Sequence, residues 1–384
     1  MSLDWIGPAL DDLDARNLRR RLRLLRGMPA AVITLDGREV VNFSSNDYLG
    51  LAGDRRVRSA AGLAAEKSGA GAGASRLIAG NLEIFERLER SLAERKGTEA
   101  ALLFNSGYQA NVGLISSLVG PEDAIFSDRL NHASIIDGCR LSRARLHVFE
   151  HNDVEHLDRL MASDSSRRRL IITESLFSMD GDLAPLPAII NVARERGAML
   201  AIDDAHAGGL LGPDGAGGLA HFGLRPDAAD AVVGTLGKAY GSAGAFVAGP
   251  AQLRDYLVNR ARSFIFTTAP APAAAGAALE ALRIAAEEPW RRERALKLAG
   301  RLRAGLTRLG LRTTDSAAAI VPVILGSEAD ALAASARLFD RGFFVHPIRP
   351  PSVPPGTSRL RITVTAGHTE RQVDELLNAL RKKA

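Results

Sequence analysis

The side chains in this 384-residue chain best placed to do chemistry stand where apolar runs stop abruptly. Ala198-Met-Leu-Ala-Ile leads directly into Asp203, Asp204 and His206, and further on Ala231-Val-Val-Gly-Thr235 leads into Leu236-Gly237-Lys238. A buried-strand pattern that ends on a charged residue marks a site at the carboxyl end of a parallel sheet. Either segment alone reads as a strand with a polar terminator. Together they offer an amine and an acid at successive strand ends. Pyridoxal 5'-phosphate needs that pair: the amine for a Schiff base, and the acid to keep the ring nitrogen protonated as an electron sink.

Three more strand ends carry polar groups. Phe104-Asn105-Ser106-Gly107-Tyr108 closes one strand and opens a helix, so the N–H groups of Gly107 and Tyr108 offer a phosphate site at a positive helix end. His132 follows the run Ala124–Ser127, and Ser178 follows Leu170–Thr173. With Asp203 and His206 on the next strand, and Thr235 and Lys238 on the one after, five strand ends supply polar groups to one edge of one sheet. The glycine-rich stretch Gly69–Ser75 is expected to be a flexible loop. No strand precedes it, and it lacks the Gly-Lys-Ser/Thr of a phosphate-binding loop. No His/Cys cluster has metal-ligand spacing, and His147, His151 and His156 read as surface residues.

The elements needed to hold these groups alternate. Helices are expected at Asn81–Gly97 and Tyr108–Leu118, with strands at Ala101–Phe104, Ala124–Ser127, Arg145–Phe149, Leu170–Thr173, Ala198–Asp203, Ala231–Thr235 and Ala245–Ala248. That order predicts an α/β domain with a mostly parallel sheet. Beyond it come helices at Arg291–Leu309, Glu328–Arg341 and Glu370–Lys382, and strands at Ile320–Leu325, Phe343–Ile348 and Arg359–Val364. These predict a smaller C-terminal α+β domain. The expected division is an N-terminal arm (1–45), a large domain (46–288) and a small domain (289–384), with Pro289 breaking one helix before the next.

Composition narrows the function classes. Hydrophobic residues make up 46% and charged residues 24%, ordinary for a globular chain. The single cysteine, Cys139, excludes an internal disulfide framework and reads as a small core residue. Asp4, Asp11, Asp12 and Asp14 interrupt the place of a signal h-region, and the apolar stretch Ala269–Leu279 is too short to span a bilayer. The cytoplasm is the expected compartment, with no membrane partner. Net charge is +5, and much of the local excess lies in Arg16, Arg19, Arg20, Arg21, Arg23 and Arg26. These are expected on a helix with Leu18, Leu22 and Leu25 opposite, mostly as a solvated face, with one or two free to bind an anionic substrate. Interleaved aromatics are absent, so nucleic-acid binding is not expected.

Five segments, in this order, resemble the α-oxoamine synthases, pyridoxal-phosphate enzymes of the aspartate-aminotransferase fold type: Asn42-Phe-Ser-Ser-Asn-Asp-Tyr-Leu-Gly-Leu51, Asp128-Arg-Leu-Asn-His-Ala-Ser134, Phe177-Ser-Met-Asp-Gly-Asp182, Asp203-Asp-Ala-His206 and Thr235-Leu-Gly-Lys238. Ile348–Pro354, followed by Gly356–Arg361, and the short arm around Leu13–Arg16 look most like the member that joins L-alanine to a pimeloyl thioester in biotin synthesis. Glycine C-acetyltransferase and 5-aminolevulinate synthase are the sister alternatives. An aminotransferase of the same fold and a silent scaffold subunit are more distant, and the intact Lys238 counts against the last.

The resemblance implies that Lys238 forms the Schiff base, Asp203 meets the pyridine nitrogen, His132 stacks on the ring and His206 bonds the ring oxygen. Ser178 and Thr235 match further cofactor contacts, and Gly107 with Tyr108 match the phosphate end. Thr267 and Thr268 match positions that offer a hydroxyl to the phosphate of a neighbouring subunit in a homodimer. Asn46 and Arg361 match holders of the amino-acid carboxylate, and Arg23 and Ser352 match contacts to the acyl substrate. His132 is also implied in catalysis, supporting the developing oxyanion or donating a proton. The implied acyl carrier is coenzyme A or, transiently, an acyl-carrier protein. Ala207-Gly208-Gly209 stands where the family has Gly-Thr-Gly, Phe85 where many members have histidine, and Ser352 where threonine is usual.

Overall fold

The computed structural model describes residues 3–381. The chain separates into two compact units: Leu51–Ser178 with Leu183–Arg292, and Met1–Gly50 with Met179–Asp182 and Glu293–Ala384. The arm expected to stand apart thus groups with the C-terminal segment.

The larger unit is built on a seven-stranded sheet. Its strands are β1 (Ala100–Phe104), β2 (Ala124–Asp128), β3 (Arg145–Phe149), β4 (Arg169–Glu174), β5 (Met199–Asp203), β6 (Ala231–Thr235) and β7 (Ala245–Gly249), in the spatial order β1-β7-β6-β5-β4-β2-β3. β7 runs antiparallel to both its neighbours, and the remaining pairs are parallel. The carboxyl ends of β1, β2, β4, β5 and β6 therefore share one edge, as the sequence pattern requires. Alternation along each strand feeds two cores. Ile125, Leu170, Ile172, Ala201 and Val233 pack with Leu114, Ile115 and Cys139 on one face. Phe126, Ile171, Leu200, Ile202 and Val232 pack with Leu157 and Ile189 on the other. Burial on both faces explains why these strands read as unbroken apolar runs, and each fully buried Leu or Ile contributes roughly 1.5–3 kcal/mol. Burial pushes the Cys139 thiol up to about 12, so it is an inert core residue.

In the other unit, Ser358–Thr363 is the centre of an antiparallel sheet between Ile320–Gly326 and Pro347–Ile348. Its apolar residues pack with Leu298, Leu302, Val373 and Leu376 from the helices Trp290–Arg308 and Glu370–Leu380. Lys382, the expected end of the last helix, lies outside the described residues. A second sheet joins Leu25–Arg26, Val32–Leu35 and Arg38–Asn42 to Phe343–Phe344.

Three expectations are corrected. The arginine-rich stretch is not helical: the helix is Ile6–Ala15, and Asn17 stops it with a φ of 56°. The charges are drawn to local carboxylates instead, Arg19 to Asp14 at 2.6 Å and Arg23 to Asp36 at 2.6 Å, and Leu22 is fully exposed. Phe343–Ile348 is not one strand, because Phe343–Phe344 and Pro347–Ile348 belong to different sheets. The histidines of the β3 region are half-buried rather than on the surface. His147 stacks on Phe126 and meets Asp164 at 3.0 Å, and His151 meets Asp128 at 2.9 Å.

One glycine is needed close to the site. Gly217 has a φ of 115°, and a Cβ there would fall 1.7 Å from Asp204 Oδ2 and 2.9 Å from Lys96 Nζ. Gly217→Ala is expected to destabilise the protein by about 2 kcal/mol or more, through strain and a disturbed ion pair. A thermal melt is the check, and an unchanged midpoint would refute the argument.

Candidate active site

Asp203 and Asp204 leave β5 together, yet their surroundings assign them different work. Asp204 is neutralised: Lys96 Nζ lies 2.5 Å from Oδ2, while Ser175 Oγ and Gly218 N donate to Oδ1 at 2.6 and 2.8 Å. Asp203 is also buried, but accepts from two neutral donors, Ala205 N at 2.9 Å and Asn111 Nδ2 at 2.7 Å. Asp204 is thus taken up by a structural ion pair, whereas Asp203 has no described ion pair.

Asn111 extends the network. Its Nδ2 also donates to Ser134 Oγ at 2.9 Å, and that hydroxyl lies 2.8 Å from His132 Nδ1. His132 caps the helix Ala133–Ser142 by accepting from Ser134 N at 3.2 Å. Burial holds the His132 pKa below its ordinary value, opposed by the Asp203 charge and assisted by Lys238. A neutral ring that accepts at Nδ1 carries its proton on Nε2. Lys238 Nζ lies 2.8 Å from His206 Nε2. Thr235 shapes the turn into Lys238, donating to Gly244 O at 3.2 Å and accepting from Gly237 N at 3.3 Å.

The helix Gly107–Leu118 presents the anion end. Ser106 satisfies Gln109 N at 3.2 Å, and the first N–H groups of a helix lie beyond its own carbonyls. A Cβ on Gly107 would meet nothing within 4 Å, so there is room for a ligand. Asn105 Nδ2 donates to Thr267 Oγ1 at 3.2 Å and to Thr268 O at 2.9 Å, while its buried Oδ1 has no protein partner. Tyr108 is exposed and donates to Asp137 at 2.5 Å. An amine, an unneutralised carboxylate and a helix end lined with hydroxyls fit pyridoxal phosphate.

In the smaller unit, Arg361 and Asn46 come together: Arg361 NH1 donates to Asn46 Oδ1 at 3.0 Å, and Tyr48 OH donates to the same oxygen at 3.2 Å. Arg359, two residues away, is held instead by Asp180 at 2.6 Å. Arg23 and Ser352 have no described contact with each other. The Arg23 guanidinium pairs with Asp36 and lies 4.0 Å over the Phe339 ring, and Ser352 sits exposed on a turn. Desolvation, and then the charges of Arg349, Arg20, Arg23 and Arg361, lower the His346 pKa from its ordinary value.

Sequence reasoning passed over Glu174, Asn111, Ser134 and Tyr48. Glu174 carried a legible signal, since it ends the apolar run of β4 as Asp203 ends that of β5. Asn111 and Ser134 lie inside helices and gave none. Phe85 is simply a fully buried core residue.

A lysine held by a histidine, and a buried carboxylate held by neutral donors, both at the carboxyl edge of a mostly parallel sheet, are groups of the kind a pyridoxal-phosphate enzyme needs. The chain belongs to the class I and II aminotransferase family, whose model matches residues 38–380. An 8-amino-7-oxononanoate synthase from Anaeromyxobacter sp. (strain Fw109-5) is 58% identical, across 98% of this chain and 95% of that one. Among solved structures, a serine palmitoyltransferase from S. paucimobilis with a bound PLP–myriocin aldimine superposes with a TM-score of 0.94 at 31% identity, covering 99% and 98% of the two chains. An 8-amino-7-oxononanoate synthase from Francisella tularensis gives 0.78 at 27% identity, covering 88% and 96%. The chain is a pyridoxal-phosphate-dependent enzyme of the acyltransferase type, with a role in biotin biosynthesis.

Borohydride reduction of the protein with pyridoxal phosphate, followed by peptide mapping, should place the pyridoxyl group on Lys238. Label on another lysine would sink the assignment.

Proposed function

We propose that the protein condenses L-alanine with a pimeloyl thioester, giving 8-amino-7-oxononanoate, carbon dioxide and the free thiol. The observation that carries this reading is the lysine amine held 2.8 Å from His206, with Asp203 left uncompensated by any described ion pair. The likeness to the Anaeromyxobacter synthase supports the particular substrates. When bound, pyridoxal phosphate supplies an electron sink for the negative charge left on the alanine Cα, and again for that left by departing carbon dioxide. Asp203 holds a proton at the ring nitrogen. Gly107 and Tyr108 offer main-chain donors to the phosphate, while Ser178, His206 and Thr235 border the cofactor. Arg361, oriented by Asn46, clamps the alanine carboxylate with its planar fork.

Lys238, free once alanine has entered, takes the Cα proton. An ordinary lysine amine titrates at ~10.4, so its proton must be shed for this step. The Nε2–H of neutral His132 then donates to the thioester oxygen as charge gathers there. Pimelate brings a second carboxylate at its far end, and the arginines around His346 suit an anionic acyl chain, with Arg23 and Ser352 its contacts. The compartment proposed is the cytoplasm. Among the described residues, no helix is long and apolar enough to cross a membrane.

The test is product analysis by mass spectrometry, with alanine or glycine offered against a panel of acyl thioesters on coenzyme A and on acyl-carrier protein. The 8-amino-7-oxononanoate mass from alanine and pimeloyl thioester is expected. Turnover confined to glycine, or to another acyl group, would replace this reading with a sister enzyme. In the same assay Arg361→Ala should raise the KM for alanine by about tenfold or more, the scale of a charged hydrogen bond. Arg23→Ala should raise the KM for the thioester and leave that for alanine nearly intact. Equal effects on both substrates would refute this division of roles.

The protein is further proposed to act as a homodimer, with Thr267 or Thr268 offering a hydroxyl to the partner's cofactor phosphate. Leu77, Ile78 and Phe266 are exposed, and a second copy would cover them. Sedimentation at low concentration should give a dimer; an active monomer would overturn this.

A further inference from the structure

Glu174 takes no part in the reaction as derived above, yet it lies among the residues that do. It ends β4, and its register partner on β5 is Asp203. Register partners on adjacent parallel strands project to the same face of the sheet. Both are buried, Glu174 with 3% and Asp203 with 6% of its surface exposed. Glu174 Oε1 accepts from His132 N at 2.7 Å and Oε2 from Ser178 N at 3.3 Å. One side chain therefore ties the loop after β2 to the loop after β4, at two residues assigned to the cofactor. Its main-chain N donates to Asn131 Oδ1 at 3.1 Å, which fastens the same loop a second time.

We propose that Glu174 is a positioning residue of the cofactor site, a buried acid that clasps the His132 and Ser178 loops in its protonated form while Asp203 beside it keeps the negative charge.

Two neighbouring buried carboxyl groups cannot both ionise cheaply, so one holds a proton. The hydrogen bonds indicate which. Both Asp203 oxygens accept short bonds, at 2.9 and 2.7 Å. Glu174 has one short bond and one long one, the asymmetry of a carbonyl oxygen beside a hydroxyl. Desolvation first, and then the Asp203 charge, push Glu174 up to about 8, against the opposing Lys238 charge and the N–H groups of His132 and Ser178. The titratable groups around it are thus Asp203 from β5, Lys238 from beyond β6 and His132 from beyond β2.

The linkage has a definite sign. Unfolded, the carboxyl ionises near its ordinary value of 4.5; folded, it ionises near 8. Its contribution to stability is intact below the lower value and is lost as pH rises to the upper one. Glu174→Gln, neutral at every pH, lacks that loss.

The experiment compares the cofactor-free full-length wild type with Glu174→Gln in urea unfolding at pH 5 and pH 8.5, and measures pyridoxal phosphate binding at pH 7 for both and for Glu174→Ala. The stability of Glu174→Gln relative to wild type should rise between the two pH values. Glu174→Gln should hold the cofactor within about threefold of wild type. Glu174→Ala, which strands two main-chain N–H groups, should weaken it by about tenfold or more. A stability difference that is the same at both pH values would overturn the protonated form, and wild-type affinity in Glu174→Ala would overturn the clasp. If Glu174→Ala fails to fold, a Glu174→Gln affinity more than tenfold below wild type overturns the neutral, protonated clasp instead. The proposal rests on the cofactor reading alone, so a different acyl substrate in the product assay would leave it standing.

Discussion

A carboxylate withdrawn from water must be compensated, and most of the cofactor site follows from how three of them are compensated at two neighbouring strand ends. Asp204 has a cation, Lys96, and becomes a structural pin for the turn that contains Gly217. Asp203 accepts from neutral donors alone and has no described ion pair, which leaves it open to a cationic partner. Glu174 has neither a cation nor two good donors, which fits a proton. Removing the apolar flanks would erase these distinctions, because in water all three would ionise alike. The unbroken runs Leu170–Ile172 and Leu200–Ile202 are therefore chemical components of the site as well as its scaffold.

The same economy governs the bases. Asn111 donates to Asp203 and to Ser134 at once, so the group that holds the acid also bears, through Ser134, on the acceptor face of His132. A histidine pinned at Nδ1 and desolvated is neutral with a defined tautomer, whereas a freely hydrated one would be partly protonated at neutral pH. One buried asparagine thereby couples Asp203 to His132 through Ser134. Its remaining Oδ1 has no described partner, so the coupling runs through Nδ2 alone.

The fold was legible because both-face burial leaves an unmistakable pattern. Every strand of the large sheet was found within one or two residues, and the five polar strand ends lie on one edge of it. The misreadings share a different cause. Arg16–Arg26 has helical spacing, but Asn17 adopts a left-handed conformation and Asp12, Asp14 and Asp36 draw the arginines away from a common face. His147 and His151 looked exposed because their partners, Asp164 and Asp128, are 17 and 23 residues distant. Asn111 and Ser134 were invisible for the same reason: a polar residue within a helix declares nothing about its partner on the next element. Glu174 was visible and was passed over, since an acid that ends a strand resembles a terminator until its neighbour proves to be another acid.

The start of the helix Gly107–Leu118 illustrates how a weak local signal becomes a strong one in three dimensions. A helix start such as Ser106-Gly107-Tyr108 is common, and taken alone it says little about ligands. Asn105 changes its meaning, because it draws Thr267 and Thr268 to the same helix end from a segment far along the chain. That places the Thr267 hydroxyl near the helix start, where a glycine has open space before it, a composition suited to an anion. The two threonines are thus tied to this chain's own helix end as well as being proposed to serve the neighbouring subunit. Asn105 sets their placement from within, and a hydroxyl directed to a partner's phosphate would inherit its position from the same hydrogen bonds.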